Sequence, residues 1–95
     1  MVENMQIEYD ETKNQTNIEK HGFSLSAFSL LDLNTETFVA DNRTDYGEKR
    51  IRIFALLQGW LCVGVFTKRG EIFRVISLRK ANKREQKSYE KQKNR

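Results

Sequence analysis

With 95 residues, 38% of them hydrophobic and 32% charged, the chain has room for one small domain with a modest core. One cysteine, Cys62, and one histidine, His21, exclude an internal disulfide and a Cys/His zinc site, and no apolar run nears the roughly 18 residues that span a bilayer. The net charge of +4 is uneven: residues 79–95 hold eight bases and two acids, a local charge of +6, which leaves −2 on the preceding 78 residues. Such a basic tail suits a polyanion or an acidic partner, or is simply a solvated helix face. Residues 1–5 lack the basic and apolar character of a signal peptide, so a reducing, cytoplasmic setting without membrane contact is expected.

In chain order, Glu3–Tyr9 alternates, with Met5, Ile7 and Tyr9 on one side, and reads as a strand. Asp10 can cap a helix that runs to about Lys20 and ends at Gly22. Ser24 opens a second, short helix with Leu25, Phe28 and Leu31 on its apolar face, ending at Asn34. Thr35–Asp41 reads as a strand and Asp41–Gly47 as a polar turn. Glu48–Leu57, Trp60–Thr67 and Glu71–Arg79 are rich in β-branched and aromatic residues, and Gln58-Gly59 and Lys68-Arg69-Gly70 between them are hairpin signals. Propensity alone makes a helix of residues 81 to about 92. The order β-α-α-β-β-β-β-α predicts an α+β fold, a small antiparallel sheet with helices N-terminal and C-terminal to it, in one domain over residues 1–95 with a basic tail at about 90–95.

Several polar positions lie outside this pattern. Asp10, Lys13, Asn17 and Lys20/His21 form one stripe of the first helix, whose only large apolar residue is Ile18. The stripe is either a solvated face or a site. His21, at a helix C-terminus, has its cationic form favoured by the dipole. It is either a cap or a proton-transfer group. Regular alternation puts Arg74 on the face of Ile72 and Ile76, and Ser77 and Arg79 on the face of Phe73 and Val75. Arg74 and Arg79 then reach one point only if a bulge or a sheet edge intervenes. Glu48-Lys49-Arg50 reads as a surface charge pair, Cys62 as core, and Trp60 and Tyr89 as packing residues or base-stacking ones. No phosphate loop, nucleophile elbow or two-metal carboxylate cluster is present.

These polar positions resemble a known family. Asp10-x-x-Lys13-x-x-x-Asn17-x-x-Lys20-His21-Gly22 is similar to the N-terminal motif of the BrnT toxins of type II toxin–antitoxin systems. Gly47-Glu48-x-Arg50, Thr67-x-Arg69, Arg74-x-Ile76-Ser77-x-Arg79-x-Ala81, Glu85 and Tyr89 resemble that family's later motifs in the same order. Leu78 stands where a small residue is common, and Leu30–Val39 shows no matching motif.

The resemblance implies a RelE-like ribonuclease fold and a metal-independent endoribonuclease, without cofactor, that arrests translation. It also implies a BrnA-type antitoxin that neutralises the toxin and represses their shared promoter. Operator DNA is then met indirectly through the antitoxin, in a complex that includes a homodimer or a heterotetramer.

Metal-free RNA cleavage needs a base, an acid and cations for the phosphorane-like transition state. His21 and Glu48 are the candidates for proton transfer, and Arg50, Arg69, Arg74 and Arg79 for the phosphate. Lys13, Lys20, Ser77, Lys83, Arg84 and Tyr89 are the candidates for binding substrate. The competing readings are a non-catalytic nucleic-acid-binding module and an inactive toxin kept as a repressor subunit.

Overall fold

The computed structural model describes residues 6–41 and 48–93. The chain runs β1 (Gln6–Glu8), α1 (Glu11–His21), a 3-10 helix (Leu25–Leu30), β2 (Asp32–Asp41), β3 (Arg50–Leu57), β4 (Trp60–Arg69), β5 (Ile72–Lys80) and α2 (Lys83–Lys93). This is the expected α+β order, in one five-stranded sheet with the strand sequence β1-β5-β4-β3-β2.

The sheet is mixed rather than wholly antiparallel. The strands β2 to β5 form the antiparallel meander, but β1 lies parallel to β5, with Gln6 opposite Ile72 and Glu8 opposite Arg74. Hairpin signals fix only neighbours joined by a tight turn. A parallel neighbour needs a long connection, and the five elements between β1 and β5 supply one.

The local signals at the helix ends hold. The Asp10 carboxylate accepts the Lys13 N–H at 3.2 Å, and Gly22 closes α1 in the left-handed region at φ 79°. The Ser24 hydroxyl accepts the Ser26 N–H. Several boundaries move, among them the end of the short second helix, which stops at Leu30 and not at the expected Asn34 because Asp32 onward joins the sheet. β2 begins at Asp32, before the expected Thr35, and α2 begins at Lys83, after the expected Ala81. Ala81 is buried and donates its N–H to the Leu61 carbonyl, prolonging the sheet. Asn82 and Glu85 then form a reciprocal capping box, at 2.8 and 2.9 Å. The turn expected at Asp41–Gly47 falls almost wholly on residues 42–47, outside the described residues, as do residues 94–95 of the tail.

The 3-10 helix covers the inner face of the sheet. Leu25, Phe28 and Leu31 pack on Ile53, Ala55 and Leu57 of β3, Cys62 and Phe66 of β4, and Val75 and Leu78 of β5. Phe28 meets Phe66 edge-on with ring centroids 5.6 Å apart. Its ring lies over Gly64, where an added Cβ would stand 2.8 Å from the ring. Glycine is therefore a socket for the aromatic group, although it sits mid-strand.

The helix α1 docks in another way. Its one large apolar residue, Ile18, is exposed, and its buried residues are Asn14 and Asn17. The Asn14 carbonyl oxygen accepts the Leu25 N–H at 2.7 Å and the Ser24 hydroxyl at 3.2 Å, which fixes the start of the 3-10 helix. The Asn17 amide donates to the carbonyls of Leu78 (2.8 Å) and Phe23 (2.9 Å) and accepts the Leu78 N–H at 3.1 Å. β1 ends opposite Arg74, so without Asn17 the β5 backbone at Leu78 would have an unpaired edge.

Asn17→Ala leaves these backbone groups unmet and should destabilise the protein by about 3 kcal/mol. Ile18→Ala, on the same helix, should change stability by less than about 0.5 kcal/mol. Urea unfolding of both variants followed by circular dichroism tests the pair; a larger loss for Ile18→Ala would mean that α1 docks by apolar contact after all.

Candidate active site

A β-bulge in β5 arranges the charged side chains. Val65 pairs with Ser77 and Phe66 with Val75, so Ile76 is the extra residue. The irregularity shifts alternation by one position. Val75 and Leu78 both point into the core, at 2% and 0% exposure, while Arg74, Ser77 and Arg79 share the outer face. Regular alternation had placed Arg74 opposite Ser77 and Arg79, so that assignment is corrected. The outer face carries ladder rows of Arg52–Val65–Ser77 and Phe54–Val63–Arg79 and the pair Thr67–Arg74, with Arg50 two positions before Arg52 and so on the same face. Arg50, Arg74 and Arg79 thus reach one face from two strands.

The helix α1 lies beside the bulge. Lys13, Lys20 and His21 line a groove of about 240 Å³ whose other wall is Ile76 and Ser77. Spacings of three to four residues along the helix put Thr12, Lys13, Thr16, Lys20 and His21 on this side, and the Asn17 bonds set the helix rotation. His21 is exposed, and its pKa is lowered by desolvation, by the charge of Arg79 and by that of Lys20. This reverses the sequence expectation: desolvation, with the neighbouring cations second, outweighs the dipole of the helix end. The imidazole is therefore held towards its neutral form.

At the far end of β5, Glu48 and Arg69 form an exposed ion pair at 3.5 Å. The Thr67 hydroxyl donates to the Lys49 carbonyl at 2.8 Å and ties this corner to the sheet. Arg69 pairs with Ile72, seven positions before Arg79, which at the strand rise is about 20 Å away. His21 and Glu48 are thus not brought to one phosphate. Arg74, between the two ends, is bound to Glu8 at 2.7 Å.

Arg79 meets the carboxylate of Glu85 in a two-pronged pair, Nη1 to Oε1 at 2.8 Å and Nη2 to Oε2 at 2.9 Å. These bonds are the main cause of a lowered Glu85 pKa, against desolvation that raises it. Arg84 and Tyr89 stand on α2 over a cleft floored by Arg52 and Phe54. Lys83 is exposed and lines neither this cleft nor the α1 groove. No three His, Cys, Asp or Glu side chains gather into a possible metal site among the described residues, and no helix there is long and apolar enough to cross a membrane.

A family described as "Ribonuclease toxin, BrnT, of type II toxin-antitoxin system" matches residues 9–85. The chain belongs to the BrnT toxin family. The match takes in the α1 stripe, the bulge and both partners of the Arg79–Glu85 pair. A solved BrnT, the ribonuclease toxin of Brucella abortus determined at 1.1 Å, is similar in structure, with a TM-score of 0.66 and 27% identity. That similarity covers 84% of this chain and 100% of the Brucella chain. No curated protein matches the sequence. The chain is thus a BrnT-family toxin with the ribonuclease α+β fold, and its type II family implies an antitoxin partner.

Sequence reasoning named Asn17 within the motif but did not see that it holds the groove together. It also missed Arg52 and Phe54, although both lie at even spacing from Arg50 and so on its face. The bulge had no signal beyond the apolar spacing of Val75 and Leu78.

Glu85 generates a pH prediction. A carboxyl whose native pKa lies below its ordinary 4.5 adds stability above that value and loses it as pH falls through the lowered native pKa. Glu85→Gln should lower the Tm at pH 7 and flatten the loss of Tm below pH 4.5. Thermal melts of both proteins from pH 3 to pH 7 test this; parallel curves would place the acid sensitivity elsewhere.

Proposed function

We propose that this BrnT-family toxin is a metal-independent endoribonuclease that cleaves RNA and arrests translation in the cytoplasm, and that a BrnA-type antitoxin neutralises it. One observation carries the reading. The bulge sets Ser77 and Arg79 on one face, beside the groove in which α1 presents Lys13, Lys20 and His21.

The chemistry follows from that arrangement. A neutral His21 takes the proton of the 2′-hydroxyl. The 2′-oxygen then attacks the adjacent phosphorus to form a 2′,3′-cyclic phosphate, the P–O5′ bond breaks, and the leaving 5′-oxygen takes its proton from water. Negative charge builds on the phosphoryl oxygens in the transition state, where Arg79, Lys13 and Lys20 oppose it. Ser77 offers a hydroxyl to the same phosphate. Glu85 orients the Arg79 guanidinium, as a pre-set group stabilises a transition state better than a mobile one. Arg74 and Arg50 extend the cationic face to the neighbouring phosphates, and the Glu48–Arg69 pair bounds it. The antitoxin complex, a heterotetramer or one built on a toxin homodimer, meets operator DNA through the antitoxin. A neighbouring reading frame with a ribbon-helix-helix pattern would support that partner.

Purified protein should cut total RNA in excess EDTA. Arg79→Lys keeps the charge but loses the fork, and should slow cleavage by about 10²-fold with the fold retained. Intact RNA together with strong, salt-sensitive binding would instead favour the non-catalytic module.

The pH profile gives a second measurement. With His21 as base, the rate should fall as pH drops through its lowered pKa, so the acid limb lies below 6.5. His21→Ala should remove that limb and cost about 10²–10⁴-fold in rate. An acid limb that survives the substitution assigns the base elsewhere.

A further inference from the structure

The cleft between α2 and the outer face of the sheet has no part in the proton transfers above. Its volume is about 340 Å³, within the range of about 300–1,000 Å³ typical of small-molecule sites. Phe54 on its floor and Tyr89 on its wall are aromatic, and Arg52 and Arg84 bring guanidinium groups. Ser88 and Gln92 add a hydroxyl and an amide. The Arg52 guanidinium stands 5.8 Å from the centre of the Phe54 ring. Its Nε is buried and meets no hydrogen-bond acceptor among the described residues. A buried N–H left unmet costs free energy that an incoming acceptor would recover.

The lining matches one kind of ligand. Aromatic faces and guanidinium planes stack on nucleobases, and amides and hydroxyls read base edges. The lining is also cationic: Arg84 on the wall and Arg52 on the floor stand against the one acid Glu85, which is already committed to Arg79. A polyanion is favoured there over a neutral small molecule. Phe54 shares a ladder row with Val63 and Arg79, so the floor is two strands, about 10 Å, from Arg79. Glu85 touches both places, since it lines the cleft and grips Arg79.

We propose that this cleft is a nucleobase subsite, which takes the base of a nucleotide adjoining the phosphate held at Arg79. The proposal rests on the ribonuclease reading above and adds that the base is stacked by Phe54 and Tyr89 and hydrogen-bonded by Arg52. Arg52 and Phe54 are then substrate-positioning residues, which should govern affinity and choice of cleavage site more than the saturated rate.

The test uses the full chain and a short oligoribonucleotide carrying 2-aminopurine at successive positions, with a 2′-deoxy sugar at the cleavage site to block reaction. Wild-type protein should quench the fluorescence at one position next to that site. Phe54→Leu and Arg52→Gln should abolish the quenching. In single-turnover cleavage of the all-ribose RNA, they should raise the half-saturating protein concentration about 10-fold, within the range for loss of one stacked base, with the saturated rate held within about 3-fold. Circular dichroism checks the fold, and Arg52→Gln serves as the second variant if Phe54→Leu is unstable. Cleavage by wild type with no quenched position, or with unchanged half-saturation in both variants, overturns the subsite. So does a pair of variants that bind RNA normally but lose the antitoxin, because the cleft would then belong to the protein partner. Position-specific quenching by a wild type that cuts no RNA keeps the subsite and overturns the ribonuclease reading instead.

Discussion

The Asn17 amide is the contact on which the rest of the structure turns. It presents a donor and an acceptor to the Leu78 backbone, as a neighbouring strand would, where β1 has already ended. Hydrogen bonds are directional, so this pair fixes the rotation of α1 as well as its distance from the sheet. An apolar stripe would hold the helix against the sheet but tolerate sliding and rolling. With Asn17 locked, Lys13 lies one turn before it and Lys20 and His21 one turn after, all on the groove beside Ser77. A helix with almost no apolar face is thereby held firmly and still keeps its polar stripe open to solvent.

The second constraint is the bulge at Ile76. Both sides of it must satisfy the core, since Val75 and Leu78 are each buried. An extra residue between them is the only way to turn both inward and still keep the ladder with β4. The consequence appears on the other face, where Arg74, Ser77 and Arg79 come to lie together. Concentrated positive charge opposes folding by self-repulsion. Glu8 and Glu85 offset part of that repulsion, each against one arginine. What remains is a cationic surface held in place before any substrate arrives.

The two ends of this surface differ in how they are built. Around Arg79 the partners are partly buried, charge-assisted and geometrically fixed, and they couple to the capping box that starts α2. Around Arg69 the ion pair is exposed and longer, so water and salt screen it. Preorganisation is therefore greatest where β5, α1 and α2 converge. The family match ends at residue 85, so Ser88, Tyr89 and Gln92 of α2 lie past it. The cleft over Arg52 combines a strand inside the matched range with a helix that runs past it.

The sequence alone determined the element order, the helix caps at Asp10, Gly22 and Ser24, the hairpins, the core role of Cys62 and the family motifs. All of these are read from contacts within a few residues or from a period of two or of about three and a half, and such signals survive in one dimension. Only the tertiary structure decided the direction of β1, because no tight turn ties it to β5. Only the structure placed Arg74 and Arg79 on one face, because a bulge is set by two buried positions competing for one core. The fold likewise parted His21 from Glu48, the two candidates that the sequence offers for proton transfer, because their separation is the length of a strand. It also gave Asn17 its meaning: an amide in a polar helix reads as solvated until a strand edge 61 residues away requires one donor and one acceptor at that spot.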